Sequence, residues 1–492
     1  MQEQKGSYRQ IMKSTSIFGG VQVFQILINI VSSKFIAVLL GPLGMGVSSL
    51  LTTTIDFIGS LTNFGLGTSA IKNISAAYST RNVKRISTIV IVFRRLVWIT
   101  GLLGTLITAI LSPFLSRLSF GNANYTYAFL SISIVLLIKQ IRVGQGVILR
   151  GTRQITYMAK SGLIGSTIGL FTTIPLYYFF GQKGIVPGII ISALTSLMIN
   201  WYYSRKIEIS PIYVSKVRTI AEGKEMLTLG FMISLSGMIS LGVSYIVRAF
   251  ISRYGGIEQV GLYSAGFVII NTYVGLIFTA MSMDYYPRLS AVSDNNEKCK
   301  IAINQQIEFS ILILAPIIII FLVFIQWIII LLYSKMFIEI SSMVYWAALG
   351  MFFKAVSWPI SYVLLAKAAS KTFFLNELIT NIYMLGLNIA GYYFFGLTGL
   401  GVSFLITYII YSIQVFIIAN RNYEFSFTTE FKRLFVFQFF IALISFVVVY
   451  ILANLYAYIV GIFLIIISGY YSYKELDKRL NIRDAISKIL KK

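Results

Sequence analysis

Fourteen apolar stretches dominate the chain, each long enough to cross a hydrocarbon core of about 30 Å as a helix of roughly 20 residues. They run over 14–40, 43–71, 86–112, 126–149, 157–181, 184–203, 227–251, 258–285, 303–333, 341–365, 372–395, 398–420, 434–455 and 456–472, with short polar breaks between them. Strands of a membrane barrel alternate polar and apolar residues over about ten positions, and these segments are longer and more uniformly apolar. Only 12% of the 492 residues are charged and mean hydropathy is +0.81, against about 25% charged in soluble domains. The expected fold class is an all-α polytopic membrane protein. Thirteen further spans follow the first, with no small-residue cleavage site after it, so it reads as a span and not as a removable signal.

The basic residues sort onto alternate connections. Thirty of the 41 Lys and Arg fall on the side shared by both termini, only Arg117, Lys183, Arg253 and Lys335 fall opposite, and seven lie inside spans. This bias predicts cytoplasmic termini and an even helix count. Topology thereby accounts for the loop charge behind the net +24, and no nucleic-acid partner is expected. The absence of His and the single Cys299 exclude His-based triads, His-ligated metal and a disulfide. No GxxxxGK[S/T] is present, so the chain cannot hydrolyse ATP through a P-loop. No cofactor or metal is expected, and the loops are too short to hold a catalytic domain. A non-enzymatic transporter, driven by an ion gradient, substrate flux or a partner ATPase, fits these exclusions.

At an offset of 215 residues unrelated landmarks coincide. Tyr177-Tyr178-Phe179-Phe180-Gly181 falls on Tyr392-Tyr393-Phe394-Phe395-Gly396, Gly41 and Gly46 fall on Gly256 and Gly261, and Ser75-Ala76 falls on Ser290-Ala291. The shared glycines are loop punctuation that apolar bias does not supply. The offset places helices one to six on helices seven to twelve. The expected organisation is a six-helix bundle over 1–204, a cytoplasmic linker 205–226, a second bundle 227–420, an added two-helix hairpin 421–473, and a basic amphipathic tail 474–492 suited to an anionic membrane surface. Six helices per repeat give copies in the same sense, the arrangement of parallel-repeat transporters.

The seven basic residues inside spans are Lys34, Arg94, Arg95, Lys139, Arg142, Arg248 and Lys354. An ionised group at the bilayer centre costs at least about 2.5–3.5 kcal/mol on insertion scales, so such residues normally face water or a partner. Lys139 and Lys354 are related by the 215 offset and sit near the middle of their helices; Arg142 shares a helix face with Lys139. Lys34, Arg94 and Arg248 lie toward span ends, where snorkelling to headgroups competes with a role in a cavity. Asp56 is the carboxylate closest to a span centre, and its repeat mate is Asn271. It can bind a coupling cation or proton, or pair with Lys34 or Arg95. Seven bases against one deep acid leave a cationic interior that concentrates anions, and ammonium and guanidinium groups suit phosphate oxygens.

The stretch Lys34-Phe35-Ile36-Ala37-Val38-Leu39-Leu40-Gly41-Pro42-Leu43-Gly44-Met45-Gly46, followed by Phe64-Gly65-Leu66-Gly67, resembles the opening of O-antigen translocases, the Wzx-type flippases of the multidrug/oligosaccharidyl-lipid/polysaccharide (MOP) exporter superfamily. The second half is similar at Val247-Arg248, Val260-Gly261, Tyr286-Pro287-Arg288-Leu289-Ser290 and Lys354, with Leu364-Leu365-Ala366-Lys367-Ala368 beyond it; the likeness covers about 14–420. The resemblance implies two six-helix bundles around a cationic cavity in a bacterial inner membrane. Its substrate would be an undecaprenyl-pyrophosphate-linked oligosaccharide, moved from the cytoplasmic to the periplasmic leaflet by alternating access. Lys34, Arg248, Lys354 and Lys367 match basic positions of the family; the candidate pyrophosphate or cavity residues are Lys139, Arg142, Lys354, Lys34, Arg95 and Arg248. The protein is expected to be a monomer whose partners are the lipid-linked substrate, membrane lipids, a polysaccharide polymerase and a chain-length regulator. The helix pair beyond 420 departs from shorter members and matches the count of lipid II flippases. The alternatives are therefore a lipid II flippase, a cation-coupled multidrug exporter, which would favour acidic cavity residues, or a membrane polymerase or ligase, which would carry a large periplasmic loop.

Overall fold

In hydrocarbon a backbone N–H or C=O finds no water, so apolar segments of this length satisfy their polar groups internally as helices. A computed structural model describes residues 2–80, 82–452 and 454–480. Arg81 of the topological sorting lies outside these residues, as does the tail beyond 480 with Arg483, Ile486, Lys488, Ile489, Leu490, Lys491 and Lys492. The described residues hold no strand.

The elements are α1 (Gln2–Asn63), α2 (Leu66–Ser79), α3 (Val83–Ile110), α4 (Ser112–Phe120), α5 (Thr126–Gly151), α6 (Ile155–Phe180), α7 (Ile185–Ser204), α8 (Lys216–Gly255), α9 (Ile257–Val268), a π-helical turn Ile269–Val274, α10 (Leu276–Ser290), α11 (Asn296–Leu332), α12 (Ser341–Ala366), α13 (Ser370–Tyr423), α14 (Thr429–Ile451) and α15 (Asn454–Leu480). Where polar breaks were expected, side chains cap the helices: Asn82, Ser215, Asn295 and Thr428 accept from the backbone N–H three residues on. Two features depart from the expected spans. A short helix, α4, occupies the connection after span three. The span expected over 43–71 is interrupted at Phe64 and Gly65, where Gly65 takes a left-handed φ of 61° and a Cβ would lie 2.1 Å from the carbonyl oxygen of Gly230 on α8. Only glycine permits that backbone contact.

Left-handed backbone recurs at the 215-residue spacing: Gly41 and Gly256 (φ 66° and 88°), Arg153 and Ala368 (56° and 53°), and Gly181 and Gly396 (54° and 58°). At Gly181 the chain folds α6 back on α7, with Gly169 against Ser192 and Tyr177 against Gly188. At Gly396 it folds α13 on itself, pairing Asn388 with Ser403 and Asn376 with Gln414. Each is an antiparallel hairpin with a left-handed glycine at its turn, followed in the first by the 3-10 turn Gly181–Gly184.

The chain divides into two compact units, Met1–Gly261 and Leu262–Lys492. In the first, the stretch 205–226 and α8 pack with the helices that precede them. Arg85 and Arg218 both reach Glu222 (2.5 and 3.0 Å). In the second, α12 packs on the α13 hairpin, and α14 and α15 lie on α11. Gln438 ties the last two helices together through Ser468 (2.7 Å) and Ser472 (2.8 Å). Between α10, α11 and α15 runs a groove of about 960 Å³ lined by apolar Ile277, Met281, Phe309 and Ile313 and by polar groups that include the Arg479–Glu308 ion pair (3.0 Å).

Candidate substrate site

The charges inside the spans fall into two classes, those spent on packing and those facing open space. In the first unit Lys139 on α5 donates to Asp56 Oδ1 on α1 at 2.8 Å. Asp56 was expected to couple to an ion or to pair with Lys34 or Arg95; its partner is Lys139, because α1 and α5 bring the two residues to the same depth. Arg142 follows Lys139 on the same helix face. Its guanidinium makes no hydrogen bond or ion pair with any described residue and senses Asp56 only at longer range.

Lys139 and Arg142 line a cavity of about 530 Å³ walled by α1, α5, α6 and α7. Its walls are polar for reasons that helix periodicity explains: Ser161, Gly165, Gly169 and Thr173 on α6, and Ser192, Ser196 and Asn200 on α7, recur every three or four residues and so share one face. Several of these hydroxyls spend their proton on their own helix, as Thr173 does to Gly169 O at 2.8 Å, which leaves lone pairs facing the cavity. A Cβ placed on Gly162 would meet nothing within 4 Å, so that glycine borders open space.

In the second unit Lys354 on α12 donates to Asn271 Oδ1 at 2.9 Å. Lys139 with Asp56 and Lys354 with Asn271 are the same pair one repeat apart, but the acceptor is a carboxylate in one and a neutral carboxamide in the other. Asn271 sits in the π-helical turn, the kind of irregularity that tends to mark functional positions. The rings of Phe278, Phe404 and Tyr408 stand 5.8, 5.8 and 5.2 Å from the Lys354 ammonium, within cation–π range. Lys354 is thus held by an amide and aromatic faces and keeps its net charge.

The other candidate bases do different work. Arg248 is 8% exposed; its Nε donates to Ser49 Oγ at 3.1 Å and its Nη1 to the carbonyl (3.1 Å) and hydroxyl of Ser244. The Ser49 bond fastens α8 to α1, and the Ser244 bonds stay within α8. Arg95 donates to Val214 O (3.0 Å) and Thr219 Oγ1 (2.5 Å), fastening 205–226 to α3. Arg94 lines a separate recess with Trp98, Trp201 and Arg205. Lys367 donates to Ser293 O at 2.5 Å beside the Tyr423 ring. Lys34 is half-buried on α1.

Sequence reasoning missed the aromatic surround of Lys354, the cavity walls, and the use of Glu377. That carboxylate accepts from Tyr411 Oη at 3.1 Å, and Gln414 Nε2 donates to the neighbouring Asn376 Oδ1 at 2.8 Å. The available signal was the offset itself, which sets Gly162 against Glu377 and Ala193 against Tyr408.

A family described as polysaccharide biosynthesis protein matches residues 35–342. A putative O-antigen transporter of Shigella flexneri is 27% identical over 305 residues, spanning 61% of this chain and 71% of that protein. Among solved structures, lipid II flippase MurJ in an inward closed conformation matches with a TM-score of 0.73 at 13% identity, covering 95% of this chain and 99% of that one. An inward-facing multidrug resistance MATE family transporter of the MOP superfamily matches with a TM-score of 0.70 at 15% identity, over 81% and 94%. The architecture, at these identities, is that of the MOP transporters.

Proposed function

The chain belongs to the family of polysaccharide biosynthesis proteins, and from that premise we propose that it is a flippase for polyprenyl-pyrophosphate-linked oligosaccharide. In this reading it sits in a bacterial inner membrane with both termini cytoplasmic, takes the O-antigen-like repeat unit from the cytoplasmic leaflet, and releases it on the periplasmic side by alternating access. It acts as a carrier, with no covalent step, and delivers its product to a polysaccharide polymerase working with a chain-length regulator.

The observation that carries the reading is the asymmetry of the two repeat-related lysines. A lysine deep in a span persists against an insertion cost of about 2.5–3.5 kcal/mol only where something offsets it. At Lys139 the Asp56 carboxylate does so. At Lys354 the partner is neutral, and a pyrophosphate oxygen is the counter-ion the site lacks. Asp56 then acts as a competitor within its own unit: Lys139 receives phosphate when a proton or cation takes its place on the carboxylate. Arg248 and Arg95 support the site by holding α8 and 205–226, and Lys34 contributes from α1. The apolar residues of the groove between α10, α11 and α15 suit the polyprenyl tail.

The test is complementation of a bacterium that lacks its own O-antigen translocase. The wild-type chain restores surface polysaccharide, and the double variant Lys139→Ala with Lys354→Ala inserts at normal levels but restores none. Unimpaired export by the double variant overturns the assignment. A lipid II flippase is the second reading, favoured because the match to that fold includes the last two helices; rescue of cells depleted of lipid II flippase would establish it.

A further inference from the structure

The pyrophosphate reading leaves unexplained the polar cavity inside the first unit, whose walls offer more hydrogen-bonding groups than a phosphate could use. Gln25 and Asn29 on α1 and Ser192 and Ser196 on α7 line it, and their side chains make no hydrogen bond to any described residue. Arg142 adds the five donors of a guanidinium that bonds to no described residue. Polar groups that face such a space are satisfied by water or by something bound. The volume, about 530 Å³, lies in the roughly 300–1,000 Å³ range of small-molecule sites.

At the equivalent positions of the second unit the side chains are larger. At the positions 215 further on, Gly162 becomes Glu377, Gly169 becomes Met384, Ala193 becomes Tyr408 and Ser196 becomes Tyr411. Those side chains pack and bond among themselves, as Tyr411 does to Glu377. Small residues at helix contacts usually bring helices together. Gly165 and Gly169 do so against Ser196 and Ser192, whereas Gly162 faces open space.

We infer that this cavity is a saccharide subsite for the glycan of the lipid-linked substrate. It recognises a short acidic saccharide, the hydroxyls meeting the carboxamides and serines and a carboxylate meeting the Arg142 fork. The charge follows from the lining: Lys139 is cancelled by Asp56, and Arg142 leaves one net positive charge. This rests on the flippase reading for where the saccharide comes from, while the binding itself does not depend on transport.

The test uses the full-length protein in nanodiscs and saturation-transfer NMR with three probes: digalacturonic acid, the neutral disaccharide cellobiose, and inorganic pyrophosphate. Digalacturonic acid gives the strongest transfer. Gly162→Phe, which fills the cavity from a helix position with free space, abolishes it. Arg142→Gln weakens it at least about tenfold, as loss of a charge-assisted hydrogen bond does, and narrows its advantage over cellobiose. The same two variants lower surface polysaccharide in the complemented strain at unchanged protein levels. Binding of pyrophosphate that Gly162→Phe blocks, with no binding of either saccharide, overturns the inference. So does saccharide binding that Gly162→Phe leaves intact. Wild-type protein that binds digalacturonic acid in this cavity yet fails to restore export overturns the flippase reading and leaves the saccharide site standing.

Discussion

The two units run the same helical plan to opposite ends. The first keeps a polar cavity and pairs its lysine with a carboxylate; the second sets Glu377, Tyr408 and Tyr411 at equivalent positions and pairs its lysine with a neutral amide. Duplicated backbone is retained where it sets the path of the chain, at the left-handed pairs Gly41 and Gly256 or Gly181 and Gly396. On the face that lines the first unit's cavity, the small residues Gly162, Ala193 and Ser196 are replaced by Glu377, Tyr408 and Tyr411 in the second. A transporter that must hold both a compact anion and an extended, hydroxylated group gains from such a split, because one environment suits concentrated charge and the other dispersed hydrogen bonds.

Asn271→Asp attacks that split most directly, since it gives Lys354 the carboxylate that Lys139 already has. The new acid would stand where the amide oxygen now lies 2.9 Å from the ammonium, and the cation would no longer be available to substrate. Hydrogen bonds to charged groups contribute about 1.5–3 kcal/mol, so export should fall roughly tenfold to a hundredfold. Surface polysaccharide in a complemented strain, normalised to protein by immunoblot, reads the effect; wild-type export would mean that the charge on Lys354 is not what substrate meets.

Tyr408→Ala gives the second unit the alanine that the first has at position 193. The ring 5.2 Å from Lys354 is lost, and cation–π contacts of this kind contribute about 0.5–2 kcal/mol. A decrease of a few-fold to about tenfold in export is expected, with Lys354→Ala masking it entirely. Additive losses in the double variant would show that the tyrosine acts elsewhere.

Asp56→Asn performs the reverse exchange and releases Lys139 from its carboxylate. The pair is half-exposed, at 34% and 50%, and ion pairs with that much solvent are typically worth about 0.2–1 kcal/mol. Inorganic pyrophosphate binding, measured by titration calorimetry, should strengthen by no more than about fivefold. Weaker binding would mean that Asp56 positions Lys139 for substrate and does not compete with it.

How far these features could be read in advance depends on what kind of order carries them. Span lengths, the charged interior and the lysine pair at 139 and 354 follow from apolar runs and a fixed offset, which are properties of the sequence itself. The partner of Asp56 is a matter of which helices face each other, and Lys34, Arg95 and Lys139 are equally plausible until α1 and α5 are placed together. Arg248 and Arg95 look like cavity residues for the same reason: burial of a base is visible as an intramembrane charge, but the backbone and hydroxyl acceptors it serves are not. The cavity walls were least legible, because Gly, Ser and Thr are common in membrane helices for packing reasons, and whether such a face closes on a neighbour or borders a void is decided in three dimensions.

Gly162 separates those two cases, and its substitution carries the smallest expected effect. In a helix interior glycine is less favourable than alanine by about 0.8–1 kcal/mol. Where glycine buys close packing, a methyl group undoes the gain, as at Gly399, whose Cβ would lie 1.8 Å from the carbonyl oxygen of Gly391. At Gly162 the methyl meets nothing, so Gly162→Ala should raise stability by up to about 1 kcal/mol in thermal unfolding of the purified protein. A destabilised variant would make the glycine a packing residue and the cavity a by-product. A stabilised one leaves the glycine without a folding rationale, and the space it preserves then points to a ligand as the reason the first unit keeps small side chains where the second has larger ones.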